Sequence, residues 1–184
     1  MCDFMKKAIA VIGSSRDLPE GNGVKKNARQ LGIEIAKKNL ALVTGACIGF
    51  PDIVAQGAKK AGGLSIGISP AVDLEDHINN WNYPIKSYDH IVFTGMGRAR
   101  NFLVTRAAQA VILVGGRIGS LNEFSFAFDE SKPIGILKGT GGLTENIEQI
   151  IEFCRKKTRT EFFYSENPRN LVKQMADFLA ENSK

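Results

Sequence analysis

Histidine and cysteine are scarce in this chain and nowhere cluster. There are two histidines, His77 and His90, and three cysteines, Cys2, Cys47 and Cys154, all far apart in sequence. No Cys-x-x-Cys pair occurs, so neither a structural zinc site nor a disulfide framework is expected. An odd number of scattered cysteines fits a reducing compartment. No metal or resident cofactor is expected. Long hydrophobic runs are also missing: nothing approaches the ~20 apolar residues that span a bilayer. The stretch from Met1 to Lys7 lacks the pattern of a secretory leader. These absences set the expectation of a cytoplasmic protein with no membrane contact. Charge of one sign is not concentrated either. The 24 Lys and Arg against 19 Asp and Glu leave +5, but the basic pairs Lys6-Lys7, Lys25-Lys26, Lys37-Lys38 and Lys59-Lys60 fall on separate elements. They read as solvated faces, so a nucleic acid is not the expected partner. No GxxxxGK[ST] phosphate loop is present.

What is present is an alternation of short apolar runs and amphipathic stretches. With 184 residues, 43% of them apolar, the chain is long enough for one domain, residues 1–184, with a full core. Strands are expected at 8–12, 40–44, 64–68, 90–94, 110–114, 133–137 and 161–164. They are near-continuous apolar runs, the signature of strands buried on both faces of a parallel sheet. Helices are expected at 24–38, 51–61, 98–108, 121–129, 144–157 and 168–181. Residues 71–88 read as a polar surface excursion. The order predicts a three-layer α/β/α domain whose mostly parallel sheet has six or seven strands. Ligands then bind at the carboxyl ends of the strands, where the strand order reverses.

Four loops lie at such ends. Gly13-Ser14-Ser15-Arg16 offers hydroxyls, backbone donors and an arginine; alternatively it is a plain turn. Thr44 to Gly49 contains Gly45, which could admit a ligand to the backbone, and Cys47, a small buried filler or a reactive thiol. Gly97-Arg98-Ala99-Arg100-Asn101 sets two arginines at a helix start. An anion would relieve their conflict with the helix dipole, as would pairing with an acid such as Glu123. The fourth loop, Gly115-Gly116-Arg117-Ile118-Gly119-Ser120, leads from an apolar strand into a helix and suits phosphate. Glu123 then places a carboxylate beside an anion site. Ser120-x-x-Glu123 also matches a capping box, which would make Glu123 structural.

Gly115-Gly116-x-x-Gly119-Ser120-x-x-Glu123 resembles the PGGxGTxxE motif of the "Lonely Guy" (LOG) phosphoribohydrolases, with Val114 in place of proline and Ser120 in place of threonine. Gly13-Ser14-Ser15, the loop from Thr44 to Gly49, and the stretch Gly62-Gly63 to Pro70 follow in the same order. The resemblance covers roughly residues 7–137 and implies a Rossmann-like fold. It implies cleavage of the N-glycosidic bond of a nucleoside 5′-monophosphate. Glu123 would act on the cation-like sugar, Arg100 or Arg98 would hold phosphate or orient Glu123, and the N–H groups of Gly116, Gly119 and Ser120 would hold the 5′-phosphate. Gap-free counting places the hydrolases' catalytic arginine on Ala99. Arg100-Asn101 after Gly95-Met96-Gly97 is closer to a sister branch that includes molybdenum-cofactor carrier proteins. That branch implies a binding or carrier protein without turnover. In either case the ligand set is Gly13, Ser14, Ser15, Thr44, Gly45, Asn101, Gly115, Gly116, Gly119 and Ser120. The expected partner is a phosphorylated small molecule such as a nucleoside monophosphate, and the resemblance implies a homodimer or higher homo-oligomer.

Overall fold

A computed structural model describes residues 5–16 and 22–182; Cys2 lies outside them. The strands are β1 (Ala8–Gly13), β2 (Ala41–Thr44), β3 (Ser65–Ser69), β4 (His90–Phe93), β5 (Ala110–Val114), β6 (Ile134–Leu137) and β7 (Phe162–Ser165). They form one seven-stranded sheet in the order β4-β3-β2-β1-β5-β6-β7, and every pairing is parallel. The helices are α1 (Asn22–Lys37), α2 (Phe50–Lys60), α3 (Leu74–Asn79), α4 (Asn101–Arg106), α5 (Ile118–Asp129), α6 (Leu143–Cys154) and α7 (Pro168–Glu181). The expected α/β class and alternation are present.

Side chains alternate across each strand, so one strand feeds both layers. From β1, Ile9 and Val11 pack with Leu31 and Ile35 of α1, Val54 of α2 and Met175 of α7 in one cluster. Ala10 and Ile12 point the other way, into a cluster with Val104 of α4, Phe124 and Phe128 of α5 and Ile147 of α6. Burial on both faces explains why the strands read as unbroken apolar runs.

Four elements differ from expectation, among them the helix expected over 144–157, which ends at Cys154. The helix expected over 98–108 is a 3-10 turn, Gly97–Arg100, followed by the shorter α4. The α5 helix starts at Ile118 rather than Leu121. Residues 71–88 are not merely a surface excursion. They contain α3, and His77 within it is fully buried.

The α1–α2 pair owes its closeness to two glycines. A Cβ on Gly32 would run into the Val54 carbonyl, and one on Gly57 into the Arg29 carbonyl. Overpacking of this kind costs about 1–3 kcal/mol. Gly57→Ala should therefore lower the urea midpoint by a corresponding amount with no change in slope; an unchanged midpoint would mean that the helices separate freely.

Candidate functional site

The strand order reverses between β1 and β5, so the chain leaves these neighbours in opposite directions and a crevice opens above their carboxyl ends. The two ends lie close together: a Cβ on Gly13 would meet the Val114 carbonyl. Over the crevice is a cavity of about 420 Å³. Gly13, Ser14, Ser15 and Arg16 line it from β1, and Gly45 and Cys47 from β2. The segment after β3 adds Asn80, Trp81 and Tyr83; that after β4 adds Arg98, Arg100 and Asn101. Arg117, Ile118, Gly119, Ser120 and Glu123 complete it from β5 and α5.

Arg100 holds these loops together. The 3-10 turn leaves Arg98 and Ala99 exposed and turns Arg100 inward, where it is 8% exposed. Its Nη2 donates to the Gly45 carbonyl at 3.1 Å. Its Nη1 donates to Asn101 Oδ1 and lies 3.5 Å from Glu123 Oε1. Asn101 in turn donates from Nδ2 to Asn122 Oδ1 at 3.0 Å, tying α4 to α5. Gly45 is needed here because the guanidinium occupies the space a Cβ would take. Arg100 Nε is buried and has no hydrogen-bond partner. A buried charged donor left without a partner is rare in a folded protein.

The glycine loop works differently from the expected phosphate cradle. Gly115 and Gly116 have positive φ, +62° and +109°, which swing the chain into α5. Their N–H groups are already engaged: Gly115 donates to Thr140 Oγ1 at 2.8 Å and Gly116 to Ser14 Oγ at 2.9 Å. Their carbonyls accept from Thr144 and Leu143. Neither glycine lines the cavity. Gly116 therefore drops out as a phosphate donor, and Gly115 out of the ligand set, because both serve the turn itself. The capping box is also absent. Ser120 sits inside the first turn of α5, whose N-cap is Arg117 with no side-chain cap. The first intrahelical bond comes from the Leu121 N–H to the Arg117 carbonyl. The N–H groups of Ile118, Gly119 and Ser120 thus have no acceptor within the helix, and all three residues line the cavity.

Thr44 leaves the ligand set as well. It is fully buried beneath the site, and its Oγ1 accepts from the Ala46 N–H at 3.1 Å and pairs with the Tyr88 hydroxyl at 3.0 Å. The remaining expected residues, Gly13, Ser14, Ser15, Gly45, Arg98, Arg100, Asn101, Gly119, Ser120 and Glu123, share the one cavity. Sequence reasoning missed Trp81, Tyr83 and Asn80 because their segment reads as polar surface. Arg16 was visible in the first loop but was not singled out, and Arg117 was passed over inside the glycine motif.

Burial dominates the titration of the site. It pushes the Glu123 carboxyl up to about 7, against the pull of Arg100. The same burial pushes the Cys47 thiol up to about 12, so Cys47 is the small filler and not a nucleophile. Around neutral pH the cavity therefore holds a carboxyl that is largely or partly neutral, among several guanidiniums.

The chain belongs to the SLOG cluster4 family, whose model matches residues 6–172. An uncharacterised protein from Archaeoglobus fulgidus is 34% identical over 132 residues, 69% of this chain and 82% of the relative. The molybdenum cofactor binding protein of the phototrophic bacterium Rippkaea orientalis is similar in structure, with a TM-score of 0.78 at 27% identity over 96% of this chain and 99% of that one. The molybdenum cofactor carrier protein of Chlamydomonas reinhardtii, 24% identical, gives a TM-score of 0.75 over 96% and 99%, and shares the fold.

The raised carboxyl has a measurable consequence. The folded protein keeps the Glu123 proton up to about pH 7, whereas the unfolded chain releases it near 4.5. Stability from this group is therefore greatest at low pH, falls as pH rises through that window, and is level above it. In urea titrations across the window, the wild type should lose ground to Glu123→Gln as pH rises, by about 3 kcal/mol at most. A difference independent of pH would show that Glu123 ionises as an ordinary carboxyl.

Proposed function

We propose that this protein binds a phosphorylated small molecule in the β1–β5 crevice and carries it without turnover. The observation that carries this reading is the convergence of Arg16, Arg98 and Arg100 with the opening turn of α5 on one cavity. Among the described residues lining it, Glu123 is the one carboxyl group. A phosphate at the start of α5 would accept from the Gly119 and Ser120 N–H groups and meet the helix dipole favourably. Arg98, exposed at the cavity wall, would close over it with a planar fork suited to phosphate.

A pterin-type cofactor with its phosphate is the cargo this reading favours, and the similarity to the Rippkaea protein supports it. Here the cofactor is cargo, and no resident metal or cofactor is part of the reading. Hydrolysis of a nucleoside 5′-monophosphate is the second reading, and it rests on Glu123 lining the cavity. Electrostatics weigh against it. Glycosidic cleavage passes through a cation-like sugar. A carboxyl pushed up to about 7 and set beside Arg100 is a weak partner for that cation, and the other arginines oppose it.

Self-association belongs to the same proposal. Phe102 of α4, 40% exposed, meets Phe126 of α5 edge to face at 5.3 Å, leaving an aromatic pair on the outer side of both helices. Phe102→Asp should shift the sedimentation coefficient to that of a monomer; a wild type that is already monomeric removes this part.

The test of the carrier reading uses GMP and AMP. GMP is included because guanine shares the aminopyrimidinone ring of a pterin. Calorimetry should show binding of at least GMP, weakened roughly tenfold or more in Arg98→Ala, since a charge-assisted hydrogen bond contributes ~1.5–3 kcal/mol. Prolonged incubation at high protein concentration should release no free base. Release that is lost in Glu123→Gln would overturn the carrier reading in favour of the hydrolase.

A further inference from the structure

The chain has a single tryptophan, Trp81, and it stands on the cavity wall with Tyr83. Neither ring belongs to the two core clusters of the sheet. Both are half-buried, and their centroids lie 5.6 Å apart at an interplanar angle of 45°. Considerable local structure holds them there. Asp73 caps α3 by accepting from the Asp76 N–H at 2.8 Å. Asp76 accepts from Asn80 Nδ2 at 2.8 Å and from the Val72 N–H at 3.0 Å. The bonds from Asn80 and Val72 hold the Asp76 carboxyl below its ordinary range. The main-chain N–H of Trp81 donates to the Asp76 carbonyl at 3.1 Å, which fixes the backbone that carries the ring.

Behind the pair, His77 anchors the segment to the sheet. Its Nδ1 is 2.8 Å from Ser69 Oγ and its Nε2 is 3.2 Å from the Pro84 carbonyl. A carbonyl only accepts, so Nε2 carries the proton and Nδ1 accepts from the serine. Tyr83 is held edge-on against the imidazole at 5.6 Å, and its N–H donates to the His77 carbonyl at 3.0 Å. The tyrosine faces the same space as the arginines. Burial raises its phenol above the ordinary range and Cys47 adds to that, while Arg100, Arg16 and Arg98 draw it down. A rigid aromatic pair, pinned from behind and open in front, thus shares a cavity with a cluster of guanidiniums.

We infer that Trp81 and Tyr83 form the wall against which the planar ring of the ligand stacks, making them the residues that select a phosphorylated heteroaromatic over a bare sugar phosphate. This rests on the phosphate-binding reading above and adds the half of the ligand that the arginines do not recognise. Stacking on an aromatic side chain is worth about 1–3 kcal/mol per ring and tolerates different heterocycles. The wall therefore favours the ring class, and the anion end holds what is common to all of them.

The test compares GMP with ribose 5-phosphate, which keeps the phosphate and lacks the ring. Calorimetry should give GMP roughly tenfold tighter binding or more. GMP should quench the emission of the single tryptophan, and ribose 5-phosphate should bind without quenching. Trp81→Leu should bring GMP down to the ribose 5-phosphate level and leave ribose 5-phosphate unchanged, while Trp81→Phe retains most of the preference. Equal affinities for the two ligands in the wild type, or a preference for GMP that survives Trp81→Leu, would overturn the aromatic wall and leave the phosphate site standing. No heat with either ligand overturns the phosphate-binding reading and this proposal with it.

Discussion

A guanidinium taken out of water is expensive unless every face of it is used. Arg100 meets that demand by drawing three loops onto itself. The loop after β2 supplies the Gly45 carbonyl, its own neighbour Asn101 supplies an amide oxygen, and α5 supplies Glu123. Each contact constrains the sequence. Gly45 has no side chain because the guanidinium lies in that space. Asn101 is an amide because it must accept from Arg100 and donate to Asn122 at once. The Nε–H of the guanidinium remains without a partner, and it belongs to a residue that lines the cavity. The site is thus built around a charge that is almost, but not fully, compensated by the fold.

That incomplete compensation sets the electrostatics. Glu123 would neutralise Arg100 if both stayed ionised in good contact. At 3.5 Å, and with burial raising the carboxyl to about 7, the neutralisation is partial near neutral pH. The guanidiniums of Arg16 and Arg98 and the open N-terminal turn of α5 add to the remaining positive potential. A bound anion completes the balance, whereas a developing cation works against it. In the carrier reading, the carboxyl that the hydrolase resemblance sets against the sugar instead tunes how much positive charge the cavity shows.

How much of this was legible beforehand depends on what each pattern encodes. The strands were legible because burial on both faces leaves an unbroken apolar run, as in Ala110–Val114, and only their ends shifted by a residue. The carboxyl-end crevice followed from alternation and strand order. The start of α5 was misplaced because Ser120-x-x-Glu123 satisfies a capping pattern, while the positive φ values of Gly115 and Gly116 bring the chain into helix three residues sooner. Which N–H groups are free could not be read at all. That depends on Ser14 and Thr140, 102 and 25 residues from the donors they satisfy. The aromatic wall was hidden for a related reason. Asp73, Asp76 and Asn80 read as solvent-facing, and the bonds among them and to the local backbone shape the turn that carries a half-buried ring pair.

The third loop shows how one register decides a site. Aligned without gaps to the hydrolase motif, the catalytic arginine falls on Ala99, and the sequence does not say which neighbour replaces it. The 3-10 turn over Gly97–Arg100 supplies the answer through its geometry. With about three residues per turn, its last residue faces inward toward Gly45, and the two before it face solvent. Arg100 is therefore the interior arginine and Arg98 the one at the rim. An arginine at 99 would stand where the chain is exposed and face solvent. The Arg100-Asn101 pair is thus more than a variant of the hydrolase pattern. The asparagine helps make a buried arginine at this position tolerable: it takes one of that arginine's donors, and the Gly45 carbonyl and Glu123 take others, before any ligand arrives.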